Sequence, residues 1–214
     1  MSGATRLTEV IPMGVNGGWQ ATVQRQFAVP IYQKFWSNCE VIENDSLGET
    51  EKTAKILDFG DVDKIIRIGG KQIHMAQRFR KPFCKRDSNE KQDPDFTLRY
   101  SRPQSPHTIE YQRLMDAVDD ESAAYPRRYS FGRVHEDHSR GLYELYILDT
   151  DRLVEAIKSG ELDEHGPIPN SEGQTFMAYN MEEIRRSGIV VNSWSKTTRP
   201  DEPHKITAWG DDDD

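Results

Sequence analysis

The amino-acid sequence predicts an α+β domain with a central mixed, mainly antiparallel β-sheet flanked by helices. The first observation behind this prediction is a hairpin: two β-rich runs, Lys64–Ile68 and Lys71–Phe79, are joined by Gly69-Gly70, the signal of a tight turn. The second is that segments with the two-residue hydrophobic period of strands and segments with the 3.6-residue period of helices occur on both sides of that hairpin. A tight hairpin joins antiparallel strands, and an antiparallel sheet combined with helices is typical of the α+β class.

The segment before the hairpin is predicted to be mainly helical. Residues 1–18 are rich in turn-forming residues and predict a loosely held arm or an edge strand. Trp19–Trp36 has a helical pattern that Pro30 interrupts near its middle. A second helix is predicted from Ser46, a capping residue, until Gly60 ends it.

After the hairpin, the polar stretch from Cys84 to Asp95 predicts a loop. The elements predicted beyond it are a strand over Phe96–Ser101, a helix over Ile109–Val118, strands over Arg128–Val134 and Leu142–Leu148, a helix capped by Asp149 or Thr150 that runs through Lys158, a strand over Thr175–Tyr179, a helix over Met181–Ser187 and a strand over Ile189–Trp194. Gly160 and Gly188 follow two of these helices, at positions where glycine favours helix termination.

Length and composition predict one domain over residues 1–196 and a polar, acidic tail over 197–214. Only 35% of residues are hydrophobic and 30% are charged, which favours a small core or burial completed by a homo-oligomer or another protein partner. No apolar run approaches the roughly 18–20 residues of a membrane span, and the first residues lack a signal-peptide pattern. We therefore expect a cytoplasmic protein that does not enter membranes.

The charge is unevenly distributed along the chain. The window from Lys64 to Arg86 holds eight basic residues and no acidic one, so its formal charge is +8. Because the whole chain has a net charge of −8, the charges of the remaining residues sum to −16. The basic residues of this window are Lys64, Arg67, Lys71, Arg78, Arg80, Lys81, Lys85 and Arg86. This pattern predicts a polyanion site on the hairpin; the alternative is that the basic side chains pair with the acid-rich remainder.

Acidic residues precede the hairpin, and polar residues lie on its returning strand. Since antiparallel neighbours bring the start of one strand beside the end of the next, Asp63 and the Gln77–Arg80 segment are expected at one end of the sheet. Carboxylate and amide oxygens bind Mg²⁺, and nearby cations stabilise the charge that develops on phosphate. We predict that Asp61, Asp63 and Gln77 bind Mg²⁺ and that Asp63, Gln77, Arg78 and Arg80 are catalytic.

The order of these elements resembles the PD-(D/E)XK nuclease superfamily over roughly residues 46–135. The resemblance implies a restriction-endonuclease-like core, with Asp63 as metal ligand, Gln77 as second ligand and Glu49 or Glu51 as an additional acid. The second motif departs from the family pattern. Residues two apart share a face of a strand, so a ligand at Gln77 places Phe79 where the family has lysine. Either a neighbouring arginine replaces that lysine, or the chain retains only the fold.

The function expected from these features is metal-dependent hydrolysis of DNA or RNA. Basic residues beside aromatics, as in Arg99-Tyr100, add phosphate and stacking groups. The residues predicted to bind nucleic acid are Lys64, Arg67, Lys71, Arg78, Arg80, Lys81, Arg99 and Arg102. One alternative is a non-catalytic module that binds nucleic acid or protein, such as an accessory protein of a virus or mobile element; another is a small-molecule enzyme.

Histidines offer a second candidate metal site. His135 and His138 flank two acidic residues, a spacing that suits a transition metal. A solvated hairpin turn accounts for the same residues, and this second interpretation is the one we favour.

Overall fold

The computed structural model describes residues 18–43, 64–84, 91–92, 95–101, 110–119, 125–170 and 173–196. Several predictions fall outside these ranges: the N-terminal arm before Gly18, the helix over 46–57, the acidic tail, and the side chains of Asp61, Asp63 and Arg102.

The described residues form eleven strands and five α-helical segments. The strands are β1 (Glu40–Glu43), β2 (Lys64–Ile68), β3 (Lys71–Arg80), β4 (Phe83–Cys84), β5 (Lys91–Gln92), β6 (Phe96–Ser101), β7 (Arg128–Val134), β8 (Leu142–Asp149), β9 (His165–Pro169), β10 (Thr175–Tyr179) and β11 (Val190–Ser195). The helices are α1 (Gly18–Val23), α2 (Val29–Phe35), α3 (Glu110–Asp119), α4 (Thr150–Ser159) and α5 (Met181–Arg186). None of these helices is long and apolar enough to cross a membrane.

The strands make a main sheet in the order β1-β2-β3-β7-β8-β11, a three-stranded sheet in the order β6-β10-β9, and the short β4-β5 pair. All neighbours in the main sheet are antiparallel except β3 and β7, which run parallel. The predicted α+β class with a mixed, mainly antiparallel sheet is confirmed.

The β2-β3 hairpin has the predicted turn. Gly69 and Gly70 both have positive φ, 52° and 83°, as a two-residue turn that matches strand twist requires. The register runs from Ile68 opposite Lys71 to Lys64 opposite Met75. This register determines which β2 and β3 residues lie opposite each other.

Both faces of the main sheet are covered. The face under α1 and α2, here called the helix side, buries Met75 and Phe79 of β3 against Tyr32. The opposite face, here called the small-sheet side, buries Ala76 against β6, β10, α3, α4 and α5. Successive β3 residues therefore point alternately into two separate cores.

The N-terminal helix is continuous, so the predicted break at Pro30 is wrong. A π turn over Gln24–Ala28 connects α1 to α2, and Val29 N–H donates to Gln24 O, five residues back. Pro30 lies in the first turn of α2, where the ring and its missing N–H are tolerated. The widened turn immediately before Pro30 allows the helix to continue.

Local caps begin and end α4 as predicted. Asp149 accepts a hydrogen bond from Arg152 N at the start of α4, and Gly160 adopts the left-handed conformation at its end. Asn180 caps α5 in the same way. Short strands were missed: β1, β9, and the β4-β5 pair within the predicted Cys84–Asp95 loop.

Candidate nucleic-acid interface

Gln77 lies on the helix side of β3, in a buried hydrogen-bond network. Its Oε1 accepts a hydrogen bond from the Tyr32 hydroxyl at 2.9 Å. The Tyr32 hydroxyl also lies 2.6 Å from the hydroxyl of Ser130 in β7. The amide oxygen predicted to bind metal therefore joins α2 to the centre of the sheet.

Arg78 points to the other side of the sheet and pairs with Glu110. Its Nη2 lies 2.6 Å from Glu110 Oε2, with the two side chains 14% and 11% exposed. Glu110 Oε1 also accepts from the Tyr129 hydroxyl at 2.7 Å. The carboxylate of Glu110 thus connects α3 to β3 and β7.

The Arg78–Glu110 pair also binds the backbone of β6. Arg78 Nη1 donates to Thr97 O at 3.1 Å, and Arg99 N donates to Glu110 Oε2 at 2.9 Å. β6 is an edge strand of the small sheet, so the ion pair supplies a donor and an acceptor where a neighbouring strand would otherwise pair. Arg78 therefore has a structural role that its sequence context did not reveal.

The sheet separates the residues that were expected to form one catalytic site. Gln77 contacts Tyr32 on the helix side, whereas Arg78 and Arg80 both contact Thr97 on the small-sheet side. Among the described residues, no group of three or more His, Cys, Asp and Glu side chains could hold a metal ion. Asp61 and Asp63 lie outside the described ranges.

Arg80 and Arg99 both lie beside Phe176. Arg80 Nη2 donates to Thr97 Oγ1 at 3.2 Å, and its Cζ is 5.5 Å from the centre of the Phe176 ring. Arg99 Cζ is 6.0 Å from the same ring. The two basic residues come from different sheets and meet on one aromatic side chain of β10. We call Arg80, Thr97, Arg99 and Phe176 the arginine–phenylalanine cluster.

The Arg99 guanidinium has no acidic partner within the described part of the chain. Its backbone N–H donates to Glu110, but its Nε is buried without a hydrogen-bond partner. Arg99 and Phe176 are opposite each other on β6 and β10 and are both partly exposed. Cation–π contact with the ring holds the guanidinium while its remaining N–H groups stay available.

A second charged group lies on the small-sheet side beyond the cluster. Arg133 of β7 is the register partner of Arg80, and its Nη1 lies 2.8 Å from Glu144 Oε2 in a nearly buried ion pair.

Burial raises the pKa of Asp95, and the positive charge of Arg133 opposes this rise. Burial, together with Glu144, also raises the pKa of Tyr146 to about 12.

The other predicted nucleic-acid-binding residues do not gather at the cluster. Arg67 pairs with Glu40 at 2.8 Å on the exposed surface of β1 and β2. Lys81 Nζ lies 4.8 Å from the Trp19 ring and 3.5 Å from His138 Nδ1. Lys71 is exposed beside the hairpin turn, and Lys64 is partly exposed at the other end of the hairpin. Arg67 and Arg78 thus follow the alternative in which basic side chains pair with acids.

The two histidines between β7 and β8 are not arranged as a metal site. His135 is buried with its ring 5.2 Å from the Tyr143 ring, whereas His138 begins a short 3₁₀ turn that Asp137 caps. The favoured interpretation, a solvated hairpin turn, is right for the turn between β7 and β8 but wrong for His135, which is buried.

Sequence reasoning missed Glu110 and Phe176, which organise the two arginine sites. Glu110 begins a predicted helix, and Phe176 lies in a predicted strand, so both residues had an ordinary structural explanation. Their significance comes from long-range contacts to β3 and β6. Glu110 lies in the first turn of α3, where the helix dipole favours a carboxylate, so even its charge had a local explanation.

Comparison with known proteins gave no relatives. No family model matches the sequence, and no curated protein or solved structure is significantly similar to it.

Proposed function

We propose that the protein is a non-catalytic module that binds nucleic acid through the arginine–phenylalanine cluster. The observation that carries the proposal is Arg99, a partly exposed residue whose guanidinium lies over Phe176 without a carboxylate partner among the described residues. A guanidinium in this state offers planar N–H donors that match the oxygens of a phosphate.

Arg80 adds a second guanidinium to this site. It approaches the same ring from β3, so both guanidinium groups are fixed relative to each other by Phe176 and Thr97. Preorganised donors lose less conformational entropy on binding than mobile lysine side chains do.

The net charge of −8 limits how such a protein binds a polyanion. At physiological salt, charges further away than about 8 Å are largely screened, so a local pair of arginines can bind phosphate despite an acidic remainder. A site of two arginines predicts a small footprint and a correspondingly modest salt dependence.

The proposal is tested by fluorescence anisotropy with labelled single-stranded DNA, single-stranded RNA and duplex DNA over a series of salt concentrations. Two phosphate contacts give a log–log salt slope of roughly 1.4 on single strands and roughly 1.8 on duplex. Failure of all three polymers to bind at low salt rejects the proposal.

A metal-dependent nuclease is the second candidate, with Mg²⁺ held by Asp63, Asp61 and Gln77. It is favoured by the order hairpin, α3, β7 and by the parallel pairing of β7 with β3, an element order similar to that of the PD-(D/E)XK superfamily. In this version Arg78 and Arg80 would not reach a phosphate held at Gln77, because they lie across the sheet from it.

Cleavage separates the two candidates. A nuclease cuts DNA or RNA with Mg²⁺ or Mn²⁺ and loses that activity in Asp63→Ala while it still folds and binds. If the wild-type protein binds a polymer but cuts none, the nuclease version fails and the binding proposal stands.

A further inference from the structure

Tyr100 follows Arg99 directly in β6 and exposes its aromatic ring. The residue is 38% exposed, and Val191 of β11 is the only other large hydrophobic residue that is exposed among the described residues. Of these two, only Tyr100 is aromatic, and only Tyr100 adjoins a residue proposed to bind phosphate. The arginine–phenylalanine cluster does not include this ring, so its exposure is not explained by phosphate binding.

A β-bulge places Tyr100 in β6. In the pairing of β6 with β10, Arg99 lies opposite Phe176. The next pair is Ser101 opposite Thr175, which leaves Tyr100 as an extra residue in β6. A bulge bends its strand and re-aims a side chain, and bulges are common at sheet edges and beside functional sites. The usual rule that neighbours in a strand point to opposite faces therefore does not apply at Tyr100.

The Tyr100 ring is supported from α3. Its centroid is 5.4 Å from the centroid of the Tyr111 ring, with 58° between the two planes. The Tyr111 hydroxyl donates to Glu164 Oε1 at 2.9 Å, and the Tyr179 hydroxyl donates to the same oxygen at 2.6 Å. The exposed ring thus rests on a hydrogen-bonded neighbour. A ring positioned in this way loses less conformational entropy on binding than a mobile one does.

We infer that the ligand is single-stranded nucleic acid, with an unpaired base stacked on Tyr100 and an adjacent phosphate bound by Arg99. Every base has a planar face that stacks on an aromatic side chain. Consecutive Cα atoms are about 3.8 Å apart, so the two side chains contact neighbouring groups of one strand. In a duplex the bases are already stacked and paired, and exposing one costs free energy.

This inference rests on the proposed function, because it adds a base contact to the same phosphate site. The test measures the affinity of the wild type at low salt by fluorescence anisotropy for three polymers of equal length. They are the DNA or RNA single strand that binds better in the salt series, the same strand with abasic sites in place of its bases, and a duplex. The abasic strand keeps its phosphates but offers nothing to stack on Tyr100. The wild type is expected to bind the single strand about tenfold more tightly than either of the others.

Two substitutions separate the aromatic ring from the charge beside it. Tyr100→Leu removes the aromatic face and is expected to weaken binding of the single strand by about tenfold, with a much smaller effect on the abasic strand. Tyr100→Phe keeps the ring and is expected to keep the preference for the single strand. Thermal unfolding of both variants checks that they fold.

The outcomes distinguish this inference from the proposed function. Equal affinity of the wild type for the single strand and the abasic strand overturns the inference and leaves phosphate binding by Arg99 in place. A Tyr100→Leu variant that prefers the single strand as strongly as the wild type does overturns it in the same way. A wild type that binds no polymer rejects the proposed function and this inference together.

Discussion

Arg78 in β3 and Glu110 at the start of α3 form an ion pair with 2.6 Å between Nη2 and Oε2. The pair joins both layers of the fold, because its members also bind Thr97 O and Arg99 N on the edge of β6. It therefore positions the strand that carries Arg99. The site proposed to bind phosphate depends on a carboxylate that does not itself face the ligand.

Glu110→Ala is expected to lower the free energy of unfolding by about 3 kcal/mol, because it leaves the nearly buried Arg78 guanidinium without its carboxylate. Urea denaturation measures the change. Glu40→Ala is the control, since it breaks the exposed pair with Arg67, and its effect should stay below about 1 kcal/mol. Equal effects of the two substitutions would contradict the structural role of the Arg78–Glu110 pair.

Tyr32→Phe is expected to cost about 1–2 kcal/mol of unfolding free energy, since it removes the hydroxyl that contacts Gln77 and Ser130 in the buried network. Tyr100→Phe, at a side chain that is 38% exposed, is the matched control and should be nearly neutral. If Tyr32→Phe is also neutral, Gln77 is not held by this network.

Gly132→Ala is expected to destabilise the fold by about 1–3 kcal/mol through overpacking. An added Cβ would lie 2.5 Å from Phe79 Cδ1 and 2.8 Å from Leu142 Cδ2, which is closer than van der Waals contact permits. The double variant with Phe79→Leu should recover part of the loss in thermal unfolding. An additive loss in the double variant would argue against a direct clash.

Asp95 is expected to make stability fall as pH rises above the ordinary carboxyl pKa of 3.8. Burial raises its pKa in the folded protein, so the native state holds the proton over a range where the unfolded state has lost it. Stability from this group is complete below that range and is lost as pH rises through the folded-state pKa.

Asp95→Asn removes this titration. The variant should therefore exceed the wild type in thermal stability at neutral pH and lose the advantage near pH 4, about the ordinary carboxyl pKa. A stability difference that is independent of pH would mean that Asp95 ionises normally in the folded protein.

Much of the fold is readable from local sequence. The Gly69-Gly70 turn and the Asp149 and Asn180 caps act through neighbouring residues, so the elements they bound lie close to the predicted positions. β9 was missed because two prolines interrupt its pattern, which an edge strand tolerates. The π turn was missed because nothing in its residues distinguishes it from an ordinary helical turn.

The candidate site was harder to predict for a different physical reason. Strand alternation already places Gln77 and Arg78 on opposite faces, but only the packing of both faces shows that a whole sheet separates their contacts. The basic window of β2 and β3 looked like one positive surface, yet Arg67 pairs with Glu40 and Arg78 pairs with Glu110. Arg80 and Arg99 meet because two sheets pack together, and no local pattern encodes that contact.

The most direct test of the central claim is the affinity of the Arg99→Ala variant for the polymer that the wild type binds best. Arg186→Ala is the control, because it removes one positive charge from an exposed position of α5. Loss of one phosphate contact should weaken binding by about tenfold and reduce the salt slope by roughly 0.7 on a single strand or roughly 0.9 on duplex, with Arg186→Ala close to the wild type. Equal affinity and salt slope for Arg99→Ala and the wild type would contradict phosphate binding by the arginine–phenylalanine cluster.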